Sequence, residues 1–181
     1  PRIWLEAPHH LDAPCPHVPP TDGEYALRAA RQLLARGAIV AVKGLGGFHL
    51  ACDASDERAV KELRRRKNRE DKPLAVMLPD LAAVARQCHL GPAERQLLAG
   101  PAAPIVLLPR RADATLAPAV APESRELGVM LPYTPLHHLL LEPGDAAPQA
   151  LVMTSGNLSE EPIATDNDDA RHRLGPLCDA F

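Results

Sequence analysis

Apolar positions along this chain switch between helical and strand periods. Residues 1–20 hold Pro8, Pro14, Pro16, Pro19 and Pro20 and read as an extended lead-in, with Ile3, Trp4 and Leu5 as a short edge strand. Leu27, Ala30, Leu33 and Leu34 then fall at helical spacing. Thr21 and Glu24 form a capping box at that helix's start, and Gly37 ends it. Ala38 to Val42 is a continuous apolar, β-branched run, the pattern of a strand buried on both faces. A second helix is predicted from a Ser55 cap to about Arg66, with Ala59, Val60 and Leu63 inward. Leu74 to Leu78 reads as a strand. Asp80 caps a third helix, and Gly91-Pro92 opens a fourth that ends at Gly100. Strands follow at Ile105–Leu108, Leu127–Leu131 and Ala150–Met153. Thr134-Pro135 starts a helix through Leu141, and a last helix covers 166–173. Strands and helices alternate, so the chain is expected to form an α/β fold, a mixed twisted sheet flanked by helices.

The chain's 181 residues suit a single domain that buries a full core without cross-links. Aromatics make up only 3%, so Leu, Val, Ile and Ala must fill that core. Net charge is only -3, and anion binding therefore has to come from local clustering. Cys15, Cys52, Cys88 and Cys178 are scattered without a Cys-x-x-Cys pair, as expected for reduced thiols of a cytoplasmic protein with no zinc site. Cys15 and His17 are too few to hold a metal. His137 and His138 are adjacent and cannot share a helix face, so they read as structural. No apolar run reaches the roughly 18 residues of a membrane span.

Charge concentrates in one place. Residues 64–74 hold Arg64, Arg65, Arg66, Lys67, Arg69 and Lys72 beside two acidic residues, between a helix and a strand. Arg64 and Arg65 read as a solvated helix end that complements the helix dipole. Lys67, Arg69 and Lys72 are expected to leave the helix on a loop and to bind phosphate. Lys43 heads a glycine-rich stretch with Gly44, Gly46 and Gly47, which is neither a Walker A loop nor a dinucleotide fingerprint. Thr154, Ser155, Gly156 and Asn157 form a hydroxyl-rich turn after the last strand. The basic stretch and this turn are expected to face each other across one cleft.

Four blocks carry a resemblance. They are Lys43–Ala54, Arg66–Leu78 through Arg69 and Lys72, Gly128–Leu140 through Pro132 and Pro135, and Leu151–Ser159. In this order they resemble the YrdC-type domain, and more closely the YrdC-like segment of HypF-type carbamoyltransferases, maturation factors of nickel–iron hydrogenases. The resemblance covers about residues 22–181. It places residues 1–20 as a linker after a zinc-finger region outside this chain and 21–181 as the YrdC-like domain, ending short of the family pattern.

The resemblance implies a concave basic cleft. Its Lys-x-Arg and Ser-x-Asn signature falls on Lys67, Arg69, Ser155 and Asn157 as an ATP site, with Lys67 and Arg69 catalytic and Lys43, Lys72 and Thr154 also near phosphate. Gly46, Phe48 and His49 would shape the acyl-substrate pocket. Related enzymes that make threonylcarbamoyl-adenylate carry Thr and Tyr in the first block, where this chain has Gly44, Gly46 and Phe48, so a smaller acyl group is implied. The implied reaction is ATP-dependent adenylation of carbamate, made from carbamoyl phosphate by another domain of the parent protein. Mg²⁺ would ride on the triphosphate, and the carbamoyl group would pass on to HypE. Two other readings are a threonylcarbamoyl-adenylate synthase for tRNA modification and a double-stranded RNA-binding module.

Overall fold

A computed structural model describes residues 2–7, 21–144, 147–158 and 161–181. Most of the proline-rich lead-in, with Cys15 and His17, lies outside the described residues, as does Ser159. Six strands form one mixed sheet: β3 (Val40–Lys43), β4 (Phe48–Asp53), β8 (Leu151–Ser155), β5 (Ala75–Met77), β7 (Glu126–Met130) and β6 (Val106–Pro109), in that spatial order. Only β5 and β7 run parallel; every other neighbouring pair is antiparallel. The strands β1 (Trp4–Leu5) and β2 (Thr21–Asp22) pair separately. Among the described residues no helix is long and apolar enough to cross a membrane.

Both faces are buried over β3, β8 and most of β5 and β7, which is why these strands read as continuous apolar runs, whereas Leu107 of β6 is exposed. On one face α2 (Glu57–Lys67), α3 (Leu81–Gln87), α4 (Pro92–Ala99) and α6 (Asn167–Leu174) bury Leu63, Val84, Leu98 and Leu174. On the other, α1 (Gly23–Ala35) and α5 (Pro135–Leu141) bury Leu33, Leu34 and Leu140. Each such leucine contributes about 1.5–3 kcal/mol by leaving water. The residues after α6 run along β3: Ala41 donates to the Ala180 carbonyl, and Phe181 exchanges backbone bonds with Glu6. This tail guards an otherwise open sheet edge.

The caps at Asp80 and Thr134 form as expected, accepting from the backbone N–H groups of Ala83 and His137. Other expectations are corrected. Asp22, not Thr21, is the N-cap of α1, and no side chain caps that helix. Asp56 caps α2 instead of Ser55, whose hydroxyl donates to Asp53. The stretch after Lys43 is a hairpin turn into β4, a strand missed in the sequence. Phe48, Leu50 and Cys52 pack in one core cluster and Ala51 in the other, while His49 and Asp53 are half-buried. β8 extends to Ser155, which makes Thr154 and Ser155 strand residues. Finally, α2 runs through Lys67, which places Lys67 on the helix and not on the loop.

Candidate functional site

The end of α2 sets the geometry. Asn68 closes the helix in the left-handed region, at φ 49°. Its N–H bonds the Arg65 carbonyl and that of Arg69 bonds the Arg64 carbonyl, the crossed pair of a Schellman motif. Asn tolerates this conformation better than most residues. The turn sends Arg69 away from the helix axis and leaves Lys67 on the inner side.

Lys67 is only 2% exposed. Its ammonium donates to the carbonyls of Ser155 and Asn157, each at 2.6 Å, and to Asn157 Oδ1 at 2.8 Å. Three donors thus meet three oxygens of one turn. Ser155 Oγ donates to the same Oδ1 at 2.7 Å, and Asn157 Nδ2 donates to the Glu161 carbonyl at 2.6 Å. Gly156 is required by close approach: its N–H reaches the Phe48 carbonyl at 2.7 Å, and a Cβ there would lie 2.6 Å from that oxygen. The two stretches expected on opposite walls are therefore joined in one wall, with Lys67 as the pin. Burial, and secondarily the Arg69 guanidinium, push the Lys67 ammonium down to about 8.

Arg64 corrects the sequence reading most sharply. It is not a solvated helix end; it is 8% exposed and inserted beneath the basic loop. Its Nε donates to the Ala119 carbonyl, one terminal nitrogen to Arg69 and Glu70 at 3.0 and 2.9 Å, and the other to Lys72 and Val120 at 3.2 and 3.1 Å. All five donors of the guanidinium are used on backbone oxygens. Arg65 does stay at the surface, paired with Glu62 one turn back.

Arg69 caps the same loop from outside, donating to the Lys72 and Pro73 carbonyls at 3.3 and 2.9 Å. With Thr154 and Ser155 it borders a cavity of about 310 Å³. A second cavity of about 570 Å³ is bordered by His49, Ala102, Met130 and Tyr133. Ile105, Met153 and Ser155 border both, so the two make one cleft with Ser155 at its middle. Ile105 and Leu107 are largely exposed there, an apolar wall that the sequence did not single out. The basic character expected of the whole cleft is concentrated: Arg69 is the one cation among the described residues that border it.

The remaining predicted residues lie elsewhere. Lys43 Nζ donates to Asn167 Oδ1 at 2.5 Å and sits 5.4 Å from the centre of the Phe48 ring. Both residues border a separate apolar cavity of about 360 Å³, which shares only Leu45 with the cleft. Phe48 is a core residue packed edge-on against Phe181. Gly46 is exposed in the hairpin turn and Lys72 on the basic loop, and neither borders the cleft. His49 does border it. Sequence reasoning missed Tyr133, while it took His137, now found behind His49, as structural.

Residues 32–181 match the family model of Sua5, YciO and YrdC, described as "Telomere recombination". The chain belongs to this Sua5/YciO/YrdC family. Carbamoyltransferase HypF of Rhodobacter capsulatus is 51% identical over the whole chain, which spans 22% of that protein's length. Threonylcarbamoyl-AMP synthase of Bos taurus is 36% identical over 75% of the chain and 48% of its own length. A crystal structure of full-length HypF in the phosphate- and nucleotide-bound form superposes with a TM-score of 0.85 at 40% identity, covering all of this chain and 22% of that one. The mixed sheet and its flanking helices are thus those of a YrdC-type domain.

Proposed function

We propose that this YrdC-type domain adenylates carbamate with ATP, within a carbamoyltransferase of HypF type. The observation that carries the reading is the Lys67-pinned turn, which holds Ser155 beside Arg69 at the middle of a cleft. The identity to HypF over the full chain, and the nucleotide-bound form of a similar HypF, support ATP as the nucleotide.

In this reaction a carbamate oxygen attacks the α-phosphorus of ATP. The bond to the bridging oxygen breaks, and pyrophosphate leaves with the electron pair. Carbamate is already an anion, so no general base is needed. The difficulty is bringing two anions together. Arg69 can grip a phosphate with two N–H groups, whereas the buried Lys67 acts as a fixed charge behind the turn. Thr154 and Ser155 offer neutral hydrogen bonds. Among the described residues no three His, Cys, Asp or Glu side chains gather to hold a metal. Mg²⁺ fits as a companion of the triphosphate. In the parent protein the carbamoyl group would pass to HypE.

A second reading comes from the threonylcarbamoyl-AMP synthases, whose product carries an amino acid on the carbamate nitrogen. Duplex RNA binding would need a wider basic surface than Arg69 gives the cleft. Calorimetric titration with ATP tests the adenylation reading. The chain is expected to bind ATP, and Arg69→Ala to weaken binding by about 1.5–3 kcal/mol, roughly ten- to hundredfold. Unchanged affinity in Arg69→Ala would remove that residue from the site.

A further inference from the structure

Three buried nitrogens next to the cleft have no role in the account so far. His49 on β4 lies directly across from Ser155 on β8, so its ring and the Ser155 hydroxyl leave the same face of the sheet side by side. The Nδ1 edge of the ring packs against Gly44, where a Cβ would come within 2.9 Å of Nδ1 and Cε1. Behind it stands His137 of α5, only 1% exposed. Its ring meets that of His49 edge-on at 6.3 Å and that of Tyr133 edge-on at 4.5 Å. His49 Nδ1 and both ring nitrogens of His137 are buried without a hydrogen-bond partner among the described residues. His49 Nε2 is not among them: with Nδ1 held against Gly44 and His137 packed behind, the Nε2 edge of the ring is the one that can meet a molecule in the cleft.

The surroundings narrow what that edge can meet. The cavity that His49 and Tyr133 border carries no charged side chain among its described lining residues. Burial lowers the pKa of both imidazoles, that of His137 to about 4, and raises that of the Tyr133 phenol. This end of the cleft is therefore polar but uncharged at neutral pH, while Arg69, the one cation among the described residues that border the cleft, lies beyond Ser155. A small molecule spanning Ser155 would turn its anionic end toward Arg69 and a neutral hydrogen-bonding end toward His49. Carbamate has this polarity: a carboxylate-like end and an NH₂ with two donor hydrogens.

We propose that His49, backed by His137 and Tyr133, is the specificity residue that admits an unsubstituted carbamoyl NH₂ and turns away carbamates bearing an amino acid on that nitrogen. The assignment rests on the adenylation reading. A neutral imidazole accepts a hydrogen from the NH₂ group. An amino-acid substituent removes one of the two hydrogens and brings a carboxylate against a wall with no cation to receive it. A site built around a substrate N–H discriminates strongly against analogues that lack it, because its own polar atoms are then left unpaired.

Binding of stable adenylate mimics tests this with the 181-residue chain. One probe is 5′-O-(N-carbamoylsulfamoyl)adenosine, which ends in a free carbamoyl NH₂. The other carries a threonine residue on that terminal nitrogen, and AMP is the reference. The chain is expected to bind the free carbamoylsulfamoyl compound at least tenfold tighter than the threonine-bearing one. His49→Ala is expected to collapse that ratio to within about threefold, with AMP affinity and melting temperature little changed. His49→Asn, which keeps a hydrogen-bonding group, is expected to retain part of it. A ratio unchanged in both variants would overturn the role of His49 and leave adenylation standing. A wild-type chain that prefers neither sulfamoyl compound over AMP would overturn the adenylation reading, and this assignment with it.

Discussion

Arg64→Ala is expected to cost at least about 3 kcal/mol of stability and to abolish measurable ATP binding. The side chain holds five backbone carbonyls from two segments, residues 69–72 and 119–120. Each buried acceptor left without a donor costs about 1–3 kcal/mol, reduced where water can enter. Several such losses at one point put the substitution among the uncommon large effects. For a chain of this size about 3 kcal/mol lowers the melting temperature by roughly 6–12 °C. The loop that positions Arg69 would loosen at the same time, which links stability to binding. Arg65→Ala is the control: its exposed pair with Glu62 is screened by solvent and contributes little to stability. Thermal melts of the two variants decide the matter. Coincident curves would mean that the carbonyl cage does not hold the loop.

Lys67 gives the second large effect. Lys67→Met leaves the Ser155 and Asn157 carbonyls and Asn157 Oδ1 without their donor. The Ser155–Asn157 turn should then lose its fixed shape, with ATP binding weakened by at least about tenfold, as expected for loss of a hydrogen-bonding charge. The ammonium also predicts a pH dependence. Its value of about 8 means that positive charge behind the turn is lost as pH rises through that point. ATP, an anion, should therefore bind more weakly at pH 9 than at pH 7. Lys67→Arg, whose guanidinium stays charged throughout, should show a flatter profile whatever its absolute affinity. Calorimetry across this range measures both. Equal pH profiles for the wild type and Lys67→Arg would assign the dependence to another group.

Much of this could be read from residue patterns because it rests on local chemistry. Asp80 and Thr134-Pro135 announce helix starts through short-range hydrogen bonds, and both form. The importance of Lys67 with Ser155 and Asn157 was legible through the family resemblance, though not its form: the same residues make a buried latch, which only tertiary structure reveals. Arg64 was misread because four consecutive cations end one helix, and sequence alone does not say which one turns inward. That depends on where residues 119–120 come to lie, far away in the chain. β4 stayed hidden because it directly follows the glycine-rich stretch after Lys43, which drew the reading of its first residues toward a binding loop. Ile105 and Leu107 have the composition of core residues and stand exposed because they border the cleft. Lys43 was placed near phosphate by its position before a glycine-rich loop and Phe48 in the acyl pocket by the resemblance; in the structure both border a different cavity.

The central claim is that the Lys67-pinned turn and Arg69 form the phosphate-binding wall of a single cleft. A crystal structure of this chain soaked with ATP, Mg²⁺ and ammonium carbamate tests it most directly. The phosphates are expected against Arg69, Thr154 and Ser155, with Lys67 still bound beneath the turn and the acyl end directed toward His49. Nucleotide bound instead in the apolar cavity beside Lys43 and Phe48, with the Arg69–Ser155 cleft left to solvent, would contradict it.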